Sequence, residues 1–509
     1  MPSQPASRPL RLLTTPLDAL WRLCLSPWAA LALTVVAGLL IALGLALPQP
    51  PPGANTDPQA FARWLADLQM QYGAWITWPA RAGLLTLYGA AGFRMVWAML
   101  GLGALVAAAD ELLGWRAHAG GRVVPWRTLA HAGLLVILLG ALVEERWGWA
   151  QETELLAGAR PVTLGTGELT LYLQHSGSQG AAPETVPVLW QQQGRQGQAE
   201  LQSGRPLAIG ALTAHLQQAG MAVRLRLVDS GGHRIPLDDA AGGGRLLPEV
   251  TVRFLRAGDS RYVGVPARDW VVRISYQPVA TADSPFALWV YRGLEATPLA
   301  QATLADKGDL AIGQVRLSWE VLPYAVIRVA RHPGLAQWIV GALLLTLGLA
   351  GGFVRRQPAR GHRRWLAPMA GLAGGLALWL AAGGLGMANA NPLGSVALFS
   401  LGLAVALLLL GTVAGVLATF GRESATLAHW ANVPGPSALA WTVGGGLATL
   451  TRWAAEGTLW RWDTQQARWA IVWCLLVGLW HARTSLPRRA TVVGLAVGAG
   501  LALFAMIST

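Results

Sequence analysis

The sequence predicts a polytopic α-helical membrane protein of about nine spans, with a large all-β domain inserted between spans three and four. Two features of the composition predict the membrane class, since 53% of the 509 residues are hydrophobic and only 13% are charged. The insert is predicted by a long stretch after the third apolar run, in which apolar and polar residues alternate with a period of two.

The apolar runs are long enough to cross a bilayer, and several contain glycines, which membrane helices tolerate. They cover 28–47, 93–113, 128–147, 335–354, 366–386, 394–420, 437–453, 468–484 and 490–507. The first run begins late and is followed by further runs, which favours a retained anchor over a cleaved signal peptide.

The distribution of arginine predicts the orientation of these spans. The net charge is +13, but the arginines stand in short clusters between apolar runs, as in the positive-inside pattern, which does not indicate nucleic-acid binding. We therefore expect the N-terminus in the cytoplasm, and the insert and the C-terminus outside. The segments expected in the cytoplasm carry Arg8, Arg11, Arg22, Arg116, Arg122, Arg127, Arg355, Arg356, Arg360, Arg363, Arg364, Arg422, Arg483, Arg488 and Arg489.

The chain then divides into four parts. An N-terminal membrane part (1–147) precedes the β domain (148–334); the fourth span with a basic cytoplasmic loop (335–364) and a C-terminal membrane part (365–509) follow. The strand-like segments of the insert include "AVRLRLVDS", "EVTVRFLRA", "WVVRISYQP" and "GQVRLSWEVL", which favour a sandwich-like fold. The insert has neither a catalytic triad nor a nucleophile elbow in its sequence.

Two cysteines, Cys24 and Cys474, form no CxxC or CxxCH motif, so the chain has no covalent c-type haem site of its own. The histidines are the stronger chemical markers, because an imidazole inside a membrane is a functional hypothesis by default. His131 lies early in span three and His481 ends span eight, at similar predicted depth. Facing each other, they could ligate a b-type haem.

Other interpretations of the histidines stay open. His131 could bond a neighbouring helix or reach the headgroups, and His481 could be a favourable charge at a helix C-terminus. His332, just outside span four, is either an outer-face ligand or an interfacial residue. We expect the remaining six histidines at the surface: His118, His175, His215, His233, His362 and His429.

A tryptophan–aspartate cluster stands at the other end of span eight, in a predicted outer loop (453–467). Tryptophans are common at membrane interfaces, but Trp460 and Trp462 lie beside Asp463 and could offer aromatic faces to a flat macrocycle. Asp463 could orient such a ligand or cap the start of span eight.

This stretch, "WRWDTQQARWAIVWCLLVGLWH", resembles the WWD segment of CcsA/CcmC-type haem-handling proteins, W-G-x-x-W-x-W-D-P-x-E followed by a helix ending in Leu-His. Gly457, Trp460, Trp462, Asp463 and Trp473 match, and His481 stands at the spacing of that family's membrane haem ligand. The sequence departs from the pattern at three positions, namely Glu456, Thr464 and Gln466.

The first 360 residues resemble ResB (CcsB), the partner of CcsA in system II cytochrome c maturation. "SPWAALALTVVAGLLIALGLALPQP" is similar to its first span, "LAHAGLLVILLGALV" to its third, with His131 as the ligand, and "RHPGLAQWIVGALLLTLGL" to the start of its fourth.

The resemblance implies a fused ResB/CcsA-like protein in a bacterial inner membrane with a periplasmic β domain. It implies haem b held by His131 and His481, moved to the tryptophan–aspartate surface and attached to the CxxCH motif of an apocytochrome c. The chain would then be, or be part of, a holocytochrome c synthase, assisted by a thiol-reducing partner protein and surrounded by membrane lipid. The outer histidine pair of that family has no counterpart in the C-terminal part; His332 is the nearest substitute.

Two rivals remain open at this point. A membrane anchor or electron-transfer subunit would keep a haem permanently between His131 and His481. A degenerate paralogue would bind no haem and would only scaffold partner proteins.

Overall fold

The computed structural model describes residues 8–51, 58–118, 125–165, 167–174, 185–239, 246–256, 258–277, 285–293, 295–356, 376, 392–420, 434–460, 462–482 and 487–507. They form two compact units. The first, helical unit combines Met1–Arg146, Pro333–Thr451 and Leu459–Thr509. The second unit, rich in β-strand, combines Trp147–His332 with the short segment Arg452–Thr458.

The helices, numbered along the chain, are α1 (Arg8–Leu25), α2 (Pro27–Ala46), α3 (Pro58–Tyr72), α4 (Thr77–Arg81), α5 (Ala91–His118), α6 (Trp126–Trp147), α7 (Leu335–Arg356), α8 (Pro392–Phe420), α9 (Pro434–Glu456), α10 (Thr464–Ala482) and α11 (Arg488–Ile507). The predicted apolar runs that are described form helices within a few residues of the predicted limits, and the helices α1, α3 and α4 lie outside those runs. The predicted span 366–386 lies outside the described residues, apart from residue 376.

Among the described residues, four helical segments are long and apolar enough to cross a membrane: Pro27–Ala46, Ala91–Trp115, Trp126–Trp147 and Gly394–Ala414. Leu335–Gly351 and Arg489–Ala505 are shorter apolar helices. These helices are compatible with a membrane protein that carries a β domain, whereas the count of nine spans and their orientation stay predictions.

Glycines let α6 and α7 approach at backbone distance. A Cβ added to Gly341 of α7 would lie 2.7 Å from the Ile137 nitrogen and 2.8 Å from the Gly133 oxygen of α6. Further along α6, a Cβ on Gly140 would lie 3.1 Å from the Gly334 oxygen. Small residues at such crossings are how helices pack closely in lipid, and here they fix the helix that carries His131.

Tryptophans hold the C-terminal helices together. Trp441 Nε1 of α9 donates to the Trp469 carbonyl of α10 (3.0 Å), and Trp473 Nε1 donates to Thr442 Oγ1 (3.2 Å). The helix α10 also packs along α2, where a Cβ on Gly478 would lie 2.7 Å from Thr34 Oγ1. These contacts position the helix that ends at His481.

The described residues of the second unit form three antiparallel sheets. One has the order β1-β16-β7-β10, with β15 beside β16 and β6 beside β7; the others run β14-β13-β12-β11-β8-β9 and β2-β3-β4-β5. The strands are β1 (Trp149–Leu156), β2 (Val162–Leu164), β3 (Leu169–Leu173), β4 (Thr185–Gln192), β5 (Arg195–Gln202), β6 (Leu207–Ile209), β7 (Leu212–Asp229), β8 (Leu237–Asp239), β9 (Leu246–Leu247), β10 (Val250–Phe254), β11 (Ser260–Val265), β12 (Trp270–Tyr276), β13 (Phe286–Arg292), β14 (Ala300–Leu304), β15 (Lys307–Ile312) and β16 (Val315–Arg331).

The two long strands, β7 and β16, serve two hydrophobic cores. The C-terminal half of β7 and the N-terminal half of β16 contribute Val223, Leu225 and Leu317 to a core shared with β10 to β14. The other halves of the two strands contribute Leu216 and Ile327 to a core shared with β2 to β5. All four strand-like segments quoted from the sequence lie in strands of this unit, at β7, β10, β12 and β16.

The predicted outer loop 453–467 is shorter than expected. Helix α9 continues to Glu456 and α10 begins at Thr464, so only residues 457–463 separate the two helices. Ala454 and Ala455 favour the extra helical turn, and Gly457, with φ of +66°, ends it in the left-handed conformation that helix C-termini commonly use.

Candidate functional site

The fold brings His131 and His481 together, although 350 positions separate them in the chain. Their ring centroids are 6.1 Å apart, and the ring planes are inclined by 32°. His131 lies in the second turn of α6 and His481 in the last turn of α10. The Nδ1 atom of His131 is buried and has no partner on another helix among the described residues, and the Arg127 backbone one turn earlier in α6 is the polar group that the ring meets.

Both histidines line a cavity of about 720 Å³ in the helical unit. That volume lies within the range of pockets that hold small organic ligands. Most of the wall is apolar, and it is built by α1, α2, α5, α6, α7, α9 and α10. Its apolar members include Leu33, Leu100, Leu134, Leu345, Trp473 and Val477.

Polar groups collect in one part of the cavity wall, where Asp110, Glu111 and Arg127 contribute side chains. Glu111 accepts a hydrogen bond from Thr128 Oγ1 (3.2 Å) and lies 3.5 Å from Arg127 Nε. Asp110 accepts from Trp21 Nε1 (3.2 Å). The cavity is therefore amphipathic, with an apolar body and a charged margin one helical turn from His131.

These residues fit a haem. A bond of about 2 Å from a metal to an imidazole nitrogen, extended by about 1.1 Å to each ring centroid, sets two imidazoles about 6.2 Å apart across one ion. The observed centroid separation of 6.1 Å is compatible with this spacing. An amphipathic cavity also suits a flat apolar macrocycle with carboxylate side chains. No group of three or more candidate metal ligands occurs among the described residues, and a haem asks the protein for only two axial ligands.

The aromatic residues of the tryptophan–aspartate cluster pack against residues of α5 and the turn before it. Trp462 stacks on Tyr88 with centroids 4.9 Å apart and planes inclined by 15°. Phe93 meets Trp462 edge to face at 5.2 Å. Trp460 and Trp462 meet each other at 82°, so the two indoles do not form one flat platform together.

Asp463 acts as the N-cap of α10. Its Oδ1 accepts a hydrogen bond from the Gln466 backbone nitrogen at 2.9 Å, three residues into the helix. Aspartate is among the preferred residues at this position because it satisfies a backbone donor that the helix itself cannot. The prediction of a helix cap is confirmed. An additional role in orienting a ligand stays a prediction.

The β-rich unit contains a second pair of histidines around Trp453. His215 and His332 meet the Trp453 indole edge to face, at centroid distances of 5.9 and 6.4 Å. His332 Nε2 donates to the Gly457 carbonyl at 3.1 Å. The structure thus places His332 beside the segment that precedes Trp460.

The expectation that His215 lies at the surface is wrong, because its side chain is fully buried. Burial lowers the pKa of His215, and the nearby charges of His332 and Arg328 lower it further, against the hydrogen bond to Ala454. The sequence gives only a weak signal of this burial, namely that His215 lies in a strand beside positions that contribute to the hydrophobic core. By contrast, His233 is exposed in a turn; His175, His362 and His429 lie outside the described residues.

A scan against protein-family models and a search of curated proteins both find no match to this chain.

Proposed function

We propose that the protein binds haem b between His131 and His481 in the membrane and presents it outside for attachment to apocytochrome c, as in system II cytochrome c biogenesis. The observation that carries this proposal is the 6.1 Å spacing of the two imidazoles on the wall of an amphipathic cavity. The resemblance of the sequence to ResB and CcsA supports the same function.

When bound, haem would supply an iron that His131 and His481 could hold, and vinyl groups that could react with the thiols of a CxxCH motif. His131 and His481 hold the ligand, and the packing of α6 on α7 and of α10 on α2 fixes their separation. The apolar wall excludes water, and Arg127 offers a cation to carboxylate groups of the ligand. The reacting thiols belong to the apocytochrome, so the contribution of this chain is positioning.

The test is an absorption spectrum of the purified protein, with His131→Ala and His481→Ala beside the wild type. We expect a Soret band with split reduced α and β bands in the wild type, and a loss of most of it in each variant. Absence of haem from the wild type, after expression with ample haem, would reject the proposal and leave the scaffold.

A second candidate is a haem-binding membrane anchor or electron-transfer subunit. One observation favours it. Among the described residues of the β-rich unit, both ring nitrogens of His215 and Nε2 of His332 already bond to protein groups, whereas a synthase would use outer histidines to hold haem. Co-expression with a CxxCH reporter separates the two. Covalent haem on the reporter supports the synthase, and stable haem in this chain without transfer supports the anchor.

A further inference from the structure

The C-terminus of α9 is satisfied by side chains of the β-rich unit. The last carbonyls of any helix lack partners within the helix. In α9, the Trp453 carbonyl accepts from the Gly457 nitrogen at 2.9 Å. The carbonyls of Ala454 and Glu456, and that of Gly457 just beyond the helix, accept from side chains instead.

The three donors are His215, Gln217 and His332. His215 Nδ1 donates to the Ala454 carbonyl (3.2 Å), Gln217 Nε2 to the Glu456 carbonyl (3.2 Å), and His332 Nε2 to the Gly457 carbonyl (3.1 Å). Because a carbonyl only accepts, the proton of each bond belongs to the side chain. These three donors and the segment 452–458 that they bind are called the clasp below.

An irregularity in strand β7 directs the side chains of His215 and Gln217 toward α9. The register with β16 shifts between Val326, which pairs with Gln218, and Ile327, which pairs with Leu216. Gln217 is therefore the extra residue of a β-bulge, a feature that redirects side chains. Leu216 enters the core, while His215 and Gln217 reach α9. His332 is the first residue after β16.

Gly457 is matched to this arrangement in two ways. Its φ of +66° is a conformation that L side chains rarely adopt, and a Cβ there would lie 2.6 Å from Cδ2 of His215. The other ring nitrogen of His215 is also hydrogen-bonded, since Nε2 lies 3.1 Å from Thr213 Oγ1. Trp453 packs against both clasp histidines, and Arg452 Nε bonds the Glu456 side chain at 2.9 Å.

We infer that His215, Gln217 and His332 are positioning residues that hold residues 452–458, which include the last turn of α9, in a fixed conformation within the β-rich unit. The clasp ends at Thr458, two residues before Trp460 and five before Asp463. The clasp itself does not depend on the proposed function; only its use, as the segment of chain that leads to Trp460, rests on that function.

The rival interpretation of the same residues is that His215 and His332 ligate iron. The two interpretations differ in what replaces a histidine. An amide can donate to a carbonyl as an imidazole does, with asparagine close to Nδ1 and glutamine close to Nε2, but an amide is a poor axial ligand. His215→Asn and His332→Gln should therefore preserve a clasp, whereas His215→Leu and His332→Leu should open it.

The test is hydrogen–deuterium exchange of the full-length protein in detergent, read by mass spectrometry on peptides that cover 452–458. We expect exchange there to rise at least about tenfold in the leucine variants and to stay within about threefold of wild type in the amide variants. Unchanged exchange in the leucine variants would overturn the inference. Amide variants that behave as the leucine variants would also overturn it.

Gln217 provides a matched pair that does not touch the histidines. Gln217→Glu replaces the donor by an acceptor facing the Glu456 carbonyl, whereas Gln218→Glu introduces the same charge at the exposed neighbouring residue. Only Gln217→Glu should raise exchange in 452–458, with peptides of 286–292 unchanged in both. Equal effects of the two variants would count against the clasp.

This experiment separates failure of the clasp from failure of the proposed function, because exchange in 452–458 is read without haem. The haem content of Gln217→Glu, measured in parallel, reports on the site at His131 and His481. Opened exchange with a wild-type spectrum, or with no haem in either protein, supports the clasp in both cases.

Discussion

Two histidine pairs in this protein show how differently the same residue type is used. In the helical unit, His131 and His481 face each other on a cavity wall, and Nδ1 of His131 makes no hydrogen bond to another helix among the described residues. In the β-rich unit, His215 uses both ring nitrogens within the protein, and His332 donates to a backbone carbonyl.

The comparison teaches that burial alone does not mark a ligand. The side chain of His215 is fully buried, whereas that of His131 is half-buried. What differs is the set of groups that the ring nitrogens meet. A histidine whose nitrogens satisfy carbonyls and hydroxyls stabilises structure, and one that faces a second imidazole across a cavity is a candidate ligand.

The largest expected effect comes from making one substitution in both pairs. His131→Gln should remove at least about nine-tenths of the haem, because the amide does not replace an axial imidazole. His332→Gln should retain haem at the wild-type level, because the amide still donates to Gly457. The measurement is the ratio of Soret to protein absorbance, and equal losses in the two variants would erase the distinction.

The next effect concerns the packing that sets the spacing of the first pair. Gly341→Ala places a methyl group 2.7 Å from the Ile137 nitrogen, and overpacking of this kind costs about 1–3 kcal/mol. Gly446→Ala, where a Cβ meets nothing within 4 Å, serves as the control and should stay within about 0.5 kcal/mol of wild type. Thermal unfolding in detergent gives both values, and the haem content should fall only in Gly341→Ala.

A smaller effect is expected at the cap of α10. Asp463→Ala removes the acceptor of the Gln466 nitrogen and should cost about 1 kcal/mol. Asp463→Asn keeps an oxygen in place and should cost a few tenths of that amount. Thermal unfolding with both variants measures the difference. If asparagine is as harmful as alanine, then Asp463 acts through its charge, which would favour its predicted role in orienting a ligand.

The smallest effect is a pH dependence confined to the clasp. Because the pKa of His215 is lowered by burial and by the charges of His332 and Arg328, the folded state favours the neutral ring. The stabilisation is complete above the ordinary pKa of about 6.5 and is lost as the pH falls below it. From pH 7.5 to 6.0, exchange in 452–458 should rise by at most about fourfold.

His215→Asn should reduce that pH dependence, after correction for the intrinsic effect of pH on exchange. A slope that is unchanged in His215→Asn would show that His215 does not titrate with the clasp.

Much of the fold follows from short-range patterns. Apolar runs predicted α2, α5, α6 and α7 to within a few residues, because burial in lipid or in a helix bundle demands them over a full helix length. Helix α1 was not predicted, because Pro16 and the charged residues Arg8, Arg11, Asp18 and Arg22 make its sequence too polar for a span. Helix α3 is likewise too polar for this signal.

The site was predictable only in part, because a sequence indicates the membrane depth of a residue but not its tertiary hydrogen bonds. His131 and His481 could be paired because their predicted membrane depth follows from the predicted spans. The partners of His215 could not be predicted, because the bulge at Gln217 leaves no pattern in the alternation of apolar residues. Tertiary hydrogen bonds of this kind are invisible to periodicity.

The two ends of the inserted β domain lie side by side, and this determines how the domain could be removed from the chain. Strands β1 and β16 pair from Trp149 with Arg331 onward, so the inserted domain begins and ends side by side. Within the helical unit, α6 and α7 also meet where the insertion leaves them, since Glu144 accepts from the Gly334 nitrogen at 3.2 Å. Excision of 148–332 with a short flexible bridge therefore leaves a helical hairpin whose ends already lie together, at little cost in loop-closure entropy.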